Sequence, residues 1–390
     1  MSLNSKALWQ DAIRHATDLR HQLHQSPELG WQERSTAQLI RQELDRLGIE
    51  WRPCADTGTV ATLASSAEGE HIALRADIDA LPIVERSGVA WASQHEGCMH
   101  ACGHDGHTAT LLATAAWLKA CETELKGPVT LLFQPAEEGG HGAQKMIQGG
   151  ALDGVDVVFG WHNWPAIPLG KAVCPDGSVM AGNGTFHIEV QGLGGHASQP
   201  ELCRDPVLAA AAITVNLQQL VSRRVAPQKA VVVSVTSIDA ASGETIIPDR
   251  AKLAGSIRLA DTRMRDEVET LISDIAEKTA ASYGVSAEVV HYPRYGATVN
   301  HPAAAERYRE VLQQDLGDGW MDDNTHIPIM ASEDFSYYLD TVPGAFALIG
   351  SGEDNSENPP CHSPHYDFND ALIERVCTAY LRLVGAPLPT

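Results

Sequence analysis

The chain has 390 residues, of which 44% are apolar and 20% are charged, a composition typical of globular proteins. This length exceeds what one ordinary hydrophobic core accommodates, so we expect two domains. The net charge of −22 argues against nucleic acids and anionic membranes as partners, because both bind basic surfaces. No apolar run reaches the roughly 20 residues that span a bilayer. Residues 1–10 also contain no apolar signal segment, so we expect a cytoplasmic protein.

The first half of the chain predicts alternating helices and strands. Apolar residues at three- and four-residue spacing predict helices over residues 6–25 and 33–47. Apolar runs of strand length occur at 60–64, 71–76, 129–134, 155–160 and 345–350. A helical pattern over 108–122 lies between the second and third of these runs. Strands that alternate with helices indicate an α/β fold with a mixed, mostly parallel sheet.

A different pattern begins near residue 182. Its predicted elements are listed here in chain order: a strand at 185–191, a helix at 206–223, strands at 231–238 and 251–259, a helix at 263–283 and a strand at 287–292. This βαββαβ order is that of a ferredoxin-like unit. We therefore predict an inserted domain at residues 182–296 and a discontinuous domain formed by residues 1–181 and 297–390.

Polar clusters follow four of the predicted strands. They contain acids, histidines and a cysteine: Asp77 and Asp79, Glu137 and Glu138, His162, and Cys361 with His362. In open α/β sheets, sites form just beyond the carboxyl ends of the strands. The sequence therefore predicts that these side chains share one site.

A fifth cluster, Cys102-Gly103-His104, precedes the helix predicted from residue 108. Borderline divalent metals bind thiolate, imidazole and carboxylate together, and a turn at Gly103 would point Cys102 and His104 into one cavity. The adjacent Glu137 and Glu138 would point in opposite directions from an extended segment. This arrangement would allow one carboxylate to bind metal while the other moves protons on a metal-bound water.

Structural or surface roles are the simpler interpretation of most remaining histidines. This group comprises His15, His21, His24, His71, His100 and His107. His141, which follows two glycines, is a further candidate for lining the pocket. The eight cysteines show no dense spacing pattern, and we predict that they are reduced thiols.

Six motifs, in their order along the chain, resemble the M20 peptidase-family amidohydrolases of the aminoacylase, hippurate-hydrolase and auxin-conjugate-hydrolase branch. The motifs are RADIDALP at 75–82, MHACGHD at 99–105, QPAEE at 134–138, GGHAS at 194–198, SEDF at 332–335 and HSP at 362–364. The resemblance covers nearly all of the chain, from residue 21 to the end.

This resemblance implies a binuclear metal centre. Its ligands would be Cys102, His104, Glu138, His162 and His362. The two divalent ions would be Mn²⁺ or Zn²⁺, with Co²⁺ or Ni²⁺ as alternatives. Glu137 would be the general base. Asp79 would orient a ligand, because this chain has Asp77-Ile78-Asp79 where related peptidases carry His-x-Asp.

The resemblance also assigns a role to the inserted domain, which would serve as a lid and as the contact of a homodimer or higher homo-oligomer. His196 on this domain would reach a neighbouring active site and stabilise the tetrahedral intermediate. The implied reaction is hydrolysis of N-acyl-L-amino acids to a carboxylic acid and a free amino acid. A dipeptidase or carboxypeptidase on the same scaffold is the alternative.

Two further readings compete with an amidohydrolase. A metal-binding protein without catalysis would have no use for a base at Glu137. Hydrolysis by the Cys102 thiol conflicts with its role as a ligand, and treatment with a chelator would separate the two cases.

Several positions stay open. Thr245 occupies a place where this branch often has Asn, so a polar substrate contact there is shortened or lost. Cys361 stands where an aliphatic residue is expected, and it is either an inert neighbour or a second thiol accessible to metal or oxidant. Arg258 and Arg294 are candidates for binding a substrate carboxylate, with surface roles as the alternative.

Overall fold

The computed structural model describes residues 3–353 and 358–389. The chain divides into two compact units. The first unit comprises Met1–Val179, Val299–Ile327 and Asp334–Thr390, and the second comprises Met180–Thr298 and Pro328–Glu333. Residues 328–333 therefore belong to the second unit, although the sequence pattern assigned them to the discontinuous domain.

A seven-stranded sheet forms the centre of the first unit as far as the chain is described. Its strands are β1 (Trp51–Cys54), β2 (Gly58–Leu63), β3 (Ile72–Asp77), β4 (Val129–Gln134), β5 (Val157–Pro168), β6 (Ala172–Val173) and β15 (Gly344–Gly352). The order across the sheet is β1-β2-β4-β3-β5-β15-β6. The central strands β4, β3, β5 and β15 run parallel, and the outer strands are antiparallel to their neighbours. This is the mixed, mostly parallel sheet that the sequence predicts.

Helices enclose this sheet in the first unit. They are α1 (Leu3–Gln25), α2 (Arg34–Leu47), α3 (His104–Ala120), α4 (Gly142–Gln148), α7 (Pro302–Leu316), α8 (Ser336–Leu339) and α9 (Ala371–Leu383). α3 contacts β3 and the helices α1, α2 and α9. It begins at His104 rather than at residue 108, because its first turn is formed by buried polar residues that interrupt the apolar pattern. Among the described residues, no helix is both long and apolar enough to cross a bilayer.

The second unit is an antiparallel sheet with helices packed against it. Its elements are β8 (Gly182–Gln191), β9 (Gly195–His196), α5 (Pro206–Gln219), β10 (Val231–Asp239), β11 (Ile246–Ile247), β12 (Arg250–Leu259), α6 (Arg265–Ser282) and β13 (Ser286–Pro293). The main sheet has the order β10-β12-β8-β13, and the short strands β9 and β11 pair separately. α5 and α6 share a buried apolar core with this sheet. Two further strands, β7 (Gly177–Met180) and β14 (Thr298–Asn300), pair with each other.

A buried ionic network joins three segments of the first unit. Arg75 on β3 is fully buried, and its Nη1 lies 2.6 Å from Asp77 Oδ2 while its Nη2 lies 3.2 Å from Asp334 Oδ1. Its Nε donates to Gln134 Oε1 on β4 at 2.9 Å. Tyr380 of α9 donates its hydroxyl to the Arg75 carbonyl at 3.0 Å. One cation therefore contacts two buried carboxylates near the carboxyl ends of β3 and β4, and it balances one of their two negative charges.

Replacing Arg75 by Met should lower the free energy of unfolding by about 3–5 kcal/mol, because Asp77 and Asp334 would remain buried without their cation. Urea denaturation followed by circular dichroism measures this loss. The matched control is Arg14→Met, which removes an exposed ion pair with Asp11 and should cost less than about 1 kcal/mol. Equal losses in the two variants would contradict a stabilising role for the network.

Candidate metal centre

The predicted site residues of the first unit surround the carboxyl ends of the four central strands. Asp77 ends β3, and the turn with Glu137 and Glu138 follows β4. His162 lies within β5, which continues to Pro168 instead of ending at residue 160. His362 lies in the loop that follows β15. Because β4, β3, β5 and β15 are adjacent and parallel, residues far apart in sequence meet at one edge of the sheet.

Gly103 forms the turn that brings Cys102 next to the start of α3. Its φ of 93° lies in the left-handed region, and a Cβ at this position would collide with Asn163 Oδ1. Cys102 Sγ lies 3.3 Å from His162 Nε2 and 3.4 Å from His362 Nε2. Only glycine therefore fits at position 103, and the turn places the Cys102 thiol between the imidazoles of His162 and His362.

The predicted ligands converge. Three overlapping sets have all their ligand atoms within 4.8 Å of one another: Cys102, His104 and His162; Cys102, Glu138 and His362; and His104, Glu137 and Glu138. His362 Nε2 also lies 3.0 Å from Glu138 Oε1. The structure thus brings Cys102, His104, Glu138, His162 and His362 into one cluster, with Glu137 beside them.

Hydrogen bonds fix which nitrogen of each buried histidine faces this cluster. His162 Nδ1 donates to the Asn163 carbonyl at 2.7 Å, and His104 Nδ1 lies 3.2 Å from Asp79 Oδ1. A carbonyl or carboxylate oxygen only accepts, so both Nε2 atoms carry a lone pair when the rings are neutral. His104 Nε2 is buried and makes no hydrogen bond among the described residues. Lone pairs from imidazole, thiolate and carboxylate that converge in this way fit a divalent metal of borderline softness.

The electrostatics of the centre favour a cation. Burial alone would lower the pKa of His104, but the carboxylates of Asp77 and Asp79 raise it to about 10. Burial would raise the pKa of Asp77, but Arg75, His104 and His107 hold it well below its ordinary value. A hydrogen bond with the Cys361 thiol, together with burial, raises the pKa of Cys102 well above its ordinary range. Metal binding would displace the protons from the His104 and Cys102 donor atoms.

Asp79 connects two parts of the cluster. Its Oδ1 lies 3.2 Å from His104 Nδ1, and its Oδ2 accepts from the Glu138 backbone N–H at 3.0 Å. Its carboxylate therefore touches both a ligand imidazole and the turn that follows β4. The geometry supports a positioning role for Asp79, which remains a prediction.

The expectation that Glu137 and Glu138 point apart from an extended segment is wrong. Residues 137–139 form a turn, preceded by Ala136 at a φ of 50°. Carboxylate oxygens of both residues lie within 4.8 Å of His104 and of each other. Glu137 is buried, and its Oε1 accepts from the Asp334 backbone N–H at 3.3 Å. A division of labour between the two carboxylates would thus depend on their partners rather than on opposite directions.

His107 has the structural role that the sequence favours. Its Nδ1 lies 2.6 Å from Asp77 Oδ1, and its Nε2 lies 2.8 Å from Asn163 Oδ1. Both ring nitrogens of His107 therefore make hydrogen bonds, and His107 orients Asp77 and Asn163 next to the cluster. Among the other histidines, His24 is buried against Asp105 at 2.8 Å, while His141 Nδ1 lies 2.8 Å from the Tyr337 hydroxyl.

Three residues near the cluster make contacts that the sequence did not specify, although Asp77 was already expected to lie at the site. Asp77 contacts Arg75 and two histidines, and Asp334 contacts Arg75 and Glu137. Asn163 contacts His107, and its Nδ2 donates to the Tyr366 hydroxyl at 2.7 Å. The position of Asp77 at a strand end predicted its presence at the site but not its contacts with Arg75 and the two histidines. No local pattern marks the contacts of the other two.

His196 lies in the second unit, on β9, and is exposed. Its Nδ1 accepts from the Ser198 backbone N–H at 3.1 Å and lies 2.8 Å from the Ser198 hydroxyl. In the same unit, Arg258 Nη1 donates to Ser332 Oγ at 3.0 Å. The catalytic role of His196 remains a prediction.

The chain has relatives among known proteins. Residues 73–386 match the profile of Peptidase family M20/M25/M40. The chain is 40% identical to N-acetyl-L-cysteine deacetylase of Bacillus subtilis (strain 168), over 91% of this chain and 84% of that protein. It is 38% identical to the hippurate hydrolase of Campylobacter jejuni subsp. jejuni serotype O:2, over 94% of both chains.

A solved structure shares the fold. The Bacillus subtilis YXEP protein, a dinuclear metal binding peptidase from the M20 family, superposes with a TM-score of 0.82 at 32% identity. The match covers 96% of this chain and 98% of that one. With its fold, its cluster of potential ligands and these relatives taken together, the chain belongs to Peptidase family M20/M25/M40.

Proposed function

We propose that this protein hydrolyses the amide bond of N-acyl-L-amino acids and releases a carboxylic acid and a free amino acid. The observation that carries this proposal is the convergence of Cys102, His104, Glu138, His162 and His362 beside the buried carboxylate of Glu137. Two relatives, a deacetylase of N-acetyl-L-cysteine and a hydrolase of hippurate, or N-benzoylglycine, are named for such substrates.

The five ligands would hold two divalent ions. Cys102 belongs to two ligand sets, one with His104 and His162 and one with Glu138 and His362. Mixed thiolate, imidazole and carboxylate donors suit Zn²⁺ or Mn²⁺, and Co²⁺ or Ni²⁺ could replace them. Such ions acidify water and polarise a carbonyl oxygen when bound.

Glu137 would move the proton of the reaction. Its carboxylate takes a proton from the attacking water and delivers it to the nitrogen of the leaving amine. The Asp334 N–H contacts Glu137 Oε1, so the backbone holds the carboxylate in place. Asp79 would keep His104 in the tautomer that directs Nε2 to the metal.

His196 would stabilise the oxyanion that forms on the acyl carbonyl. Because its Nδ1 accepts from the Ser198 N–H, a neutral ring carries its proton on Nε2. Nε2–H is therefore the donor available to the oxyanion. We propose that the domain at residues 182–296 acts as a lid and dimer contact, and that His196 completes the active site of a partner subunit.

Arg258 and Arg294 would bind the carboxylate of the amino acid. Burial lowers the pKa of Arg258, and the nearby charge of Arg294 lowers it further. Within the described residues, neither guanidinium forms an ion pair with Asp or Glu. Two neighbouring cations of this kind favour an anionic ligand. We also propose a cytoplasmic location, supported by the free state of all eight cysteines in the described residues.

Removing the metals should abolish hydrolysis, and refilling the protein with Zn²⁺, Mn²⁺, Co²⁺ or Ni²⁺ should restore it. The measurement is amino acid release from acetyl, benzoyl, indole-acetyl and succinyl amino acids by chelated and refilled protein. Activity that survives chelation would contradict the metal mechanism. Hydrolysis of dipeptides but of no N-acyl amino acid would indicate a dipeptidase instead. Removal of C-terminal residues from longer peptides would indicate a carboxypeptidase.

Glu137→Gln should retain both metals and lower kcat about 10²–10⁴-fold, the usual contribution of a general base. Elemental analysis measures the metal content, and turnover of the best substrate measures kcat. Glu310→Gln on the exposed face of α7 is the matched control and should leave both unchanged. Full activity of Glu137→Gln would exclude Glu137 as the base.

Mixing two inactive variants tests whether His196 acts across a dimer. Glu137→Gln and His196→Ala should each be inactive alone, because each lacks one essential group at every site. If subunits exchange at random, half of the dimers contain one intact site, so about a quarter of the wild-type activity should return. A mixture that stays inactive, with exchange verified by mass spectrometry of tagged subunits, would assign His196 to its own chain.

A further inference from the structure

Cys361 lies against the metal centre without belonging to its ligand sets. Asn163 Nδ2 donates to Cys361 Sγ at 3.7 Å, and the next residue, His362, places its Nε2 3.4 Å from Cys102 Sγ. Interaction with the Cys361 thiol is also the largest cause that raises the pKa of Cys102. The backbones are also joined, because the His362 N–H donates to the Ala101 carbonyl at 2.7 Å. Two thiols that are 259 positions apart in the printed sequence therefore meet at the centre.

The two thiols differ in their exposure to solvent. Cys102 is buried, whereas Cys361 is partly exposed. A small oxidant from solvent would therefore reach Cys361 first, with Cys102 directly behind it. This order of access is that of a reactive thiol next to a resolving thiol.

We propose that Cys102 and Cys361 form an oxidation site, at which a peroxide joins them in a disulfide and removes the thiolate ligand from the metal centre. The inference rests on the proposed metal centre, because its consequence is loss of a ligand. It adds a control by oxidants to the hydrolytic activity.

The chemistry is balanced with hydrogen peroxide as oxidant. The Cys361 thiolate attacks one peroxide oxygen, the O–O bond breaks, and a sulfenic acid forms as hydroxide leaves. The Cys102 sulfur then attacks the Cys361 sulfur and expels its oxygen as hydroxide. The two thiols lose two electrons and two protons, and the peroxide becomes two molecules of water.

The local backbone allows the sulfurs to approach each other. A disulfide requires an S–S distance of about 2.05 Å, so the two sulfurs must move into bonding contact. Neither cysteine lies in a helix or strand, and each precedes a residue in the left-handed region, Gly103 at a φ of 93° and His362 at 69°. The adjustment would therefore occur in two turns and leave the sheet intact.

A metal ion would protect the site. With a cation bound, Cys102 serves as a ligand and its sulfur is less available for attack on Cys361. Metal-depleted protein should therefore form the disulfide faster than metal-loaded protein. Once formed, the disulfide should weaken metal binding by at least the roughly 10- to 100-fold that follows loss of an outer-shell partner, because here a ligand itself is lost.

The test treats full-length protein, metal-depleted or metal-loaded, with hydrogen peroxide and then blocks the remaining thiols. Mass spectrometry of an unreduced digest should show one peptide pair linked through Cys102 and Cys361, lighter by two hydrogens and separated by dithiothreitol. Metal titration of the oxidised protein should show the weaker affinity, and dithiothreitol should restore it.

Two substitutions isolate Cys361. Cys361→Val and Cys361→Ser should form no link and should keep their metal affinity after the same treatment. The matched control Cys98→Ser replaces another partly exposed thiol and should form the link as wild type does. Oxidation of Cys361 without a link, or equal loss of metal affinity in Cys361→Val, would overturn the proposal. Disulfide formation and metal affinity are measured without a substrate. The oxidation proposal can therefore be tested even if the hydrolysis assays fail.

Discussion

The buried guanidinium of Arg75 is the constraint on which the metal centre depends. Asp77 and Asp334 are both fully buried, and each would carry a large desolvation cost without a cation. Arg75 pairs with both carboxylates, although it balances only one of the two charges, and through Gln134 it links β3 to β4. Asp77 then faces His104 and His107, while the Asp334 backbone contacts Glu137. The base and the histidines are thus supported by one network.

The same network explains why the centre favours a metal. The carboxylates around His104 stabilise a positive charge on or near its imidazole. In the metal-free chain this charge comes from a proton, and a bound divalent ion would take its place. Asp79 and the Asn163 carbonyl hold the Nδ1 atoms of His104 and His162, so their Nε2 atoms need not reorient to bind. The ligand atoms are therefore preorganised, which lowers the entropic cost of binding an ion.

Local sequence patterns predicted the elements well where the pattern is apolar and short. The strand at residues 129–134 has the predicted bounds, because it is buried along its whole length. The start of α3 was missed because His104 and Asp105 are buried polar residues whose partners lie elsewhere in the chain. The turn at Ala136 was missed because its positive φ occurs at a residue type that does not favour it.

The sequence motifs predicted which residues form the site better than the patterns of polar residues did. Strand-end residues such as Asp79 and His162 could be placed together because parallel strands align their carboxyl ends. The contacts of Cys361 with Cys102 and of Asp334 with Glu137 depend on tertiary packing over long sequence separations. No periodicity in a single sequence encodes such long-range contacts, so the sequence could not predict them.

The burial of α3 has a consequence for the order of folding. All its residues from His104 to Ala115 are buried, so the helix has no stable environment before β3, α1 and α9 surround it. Cys102 and His362 are 260 positions apart, and their meeting closes most of the chain into one loop. Contacts of such separation form slowly. We therefore expect the metal centre to be completed late in folding, after the surrounding scaffold has assembled.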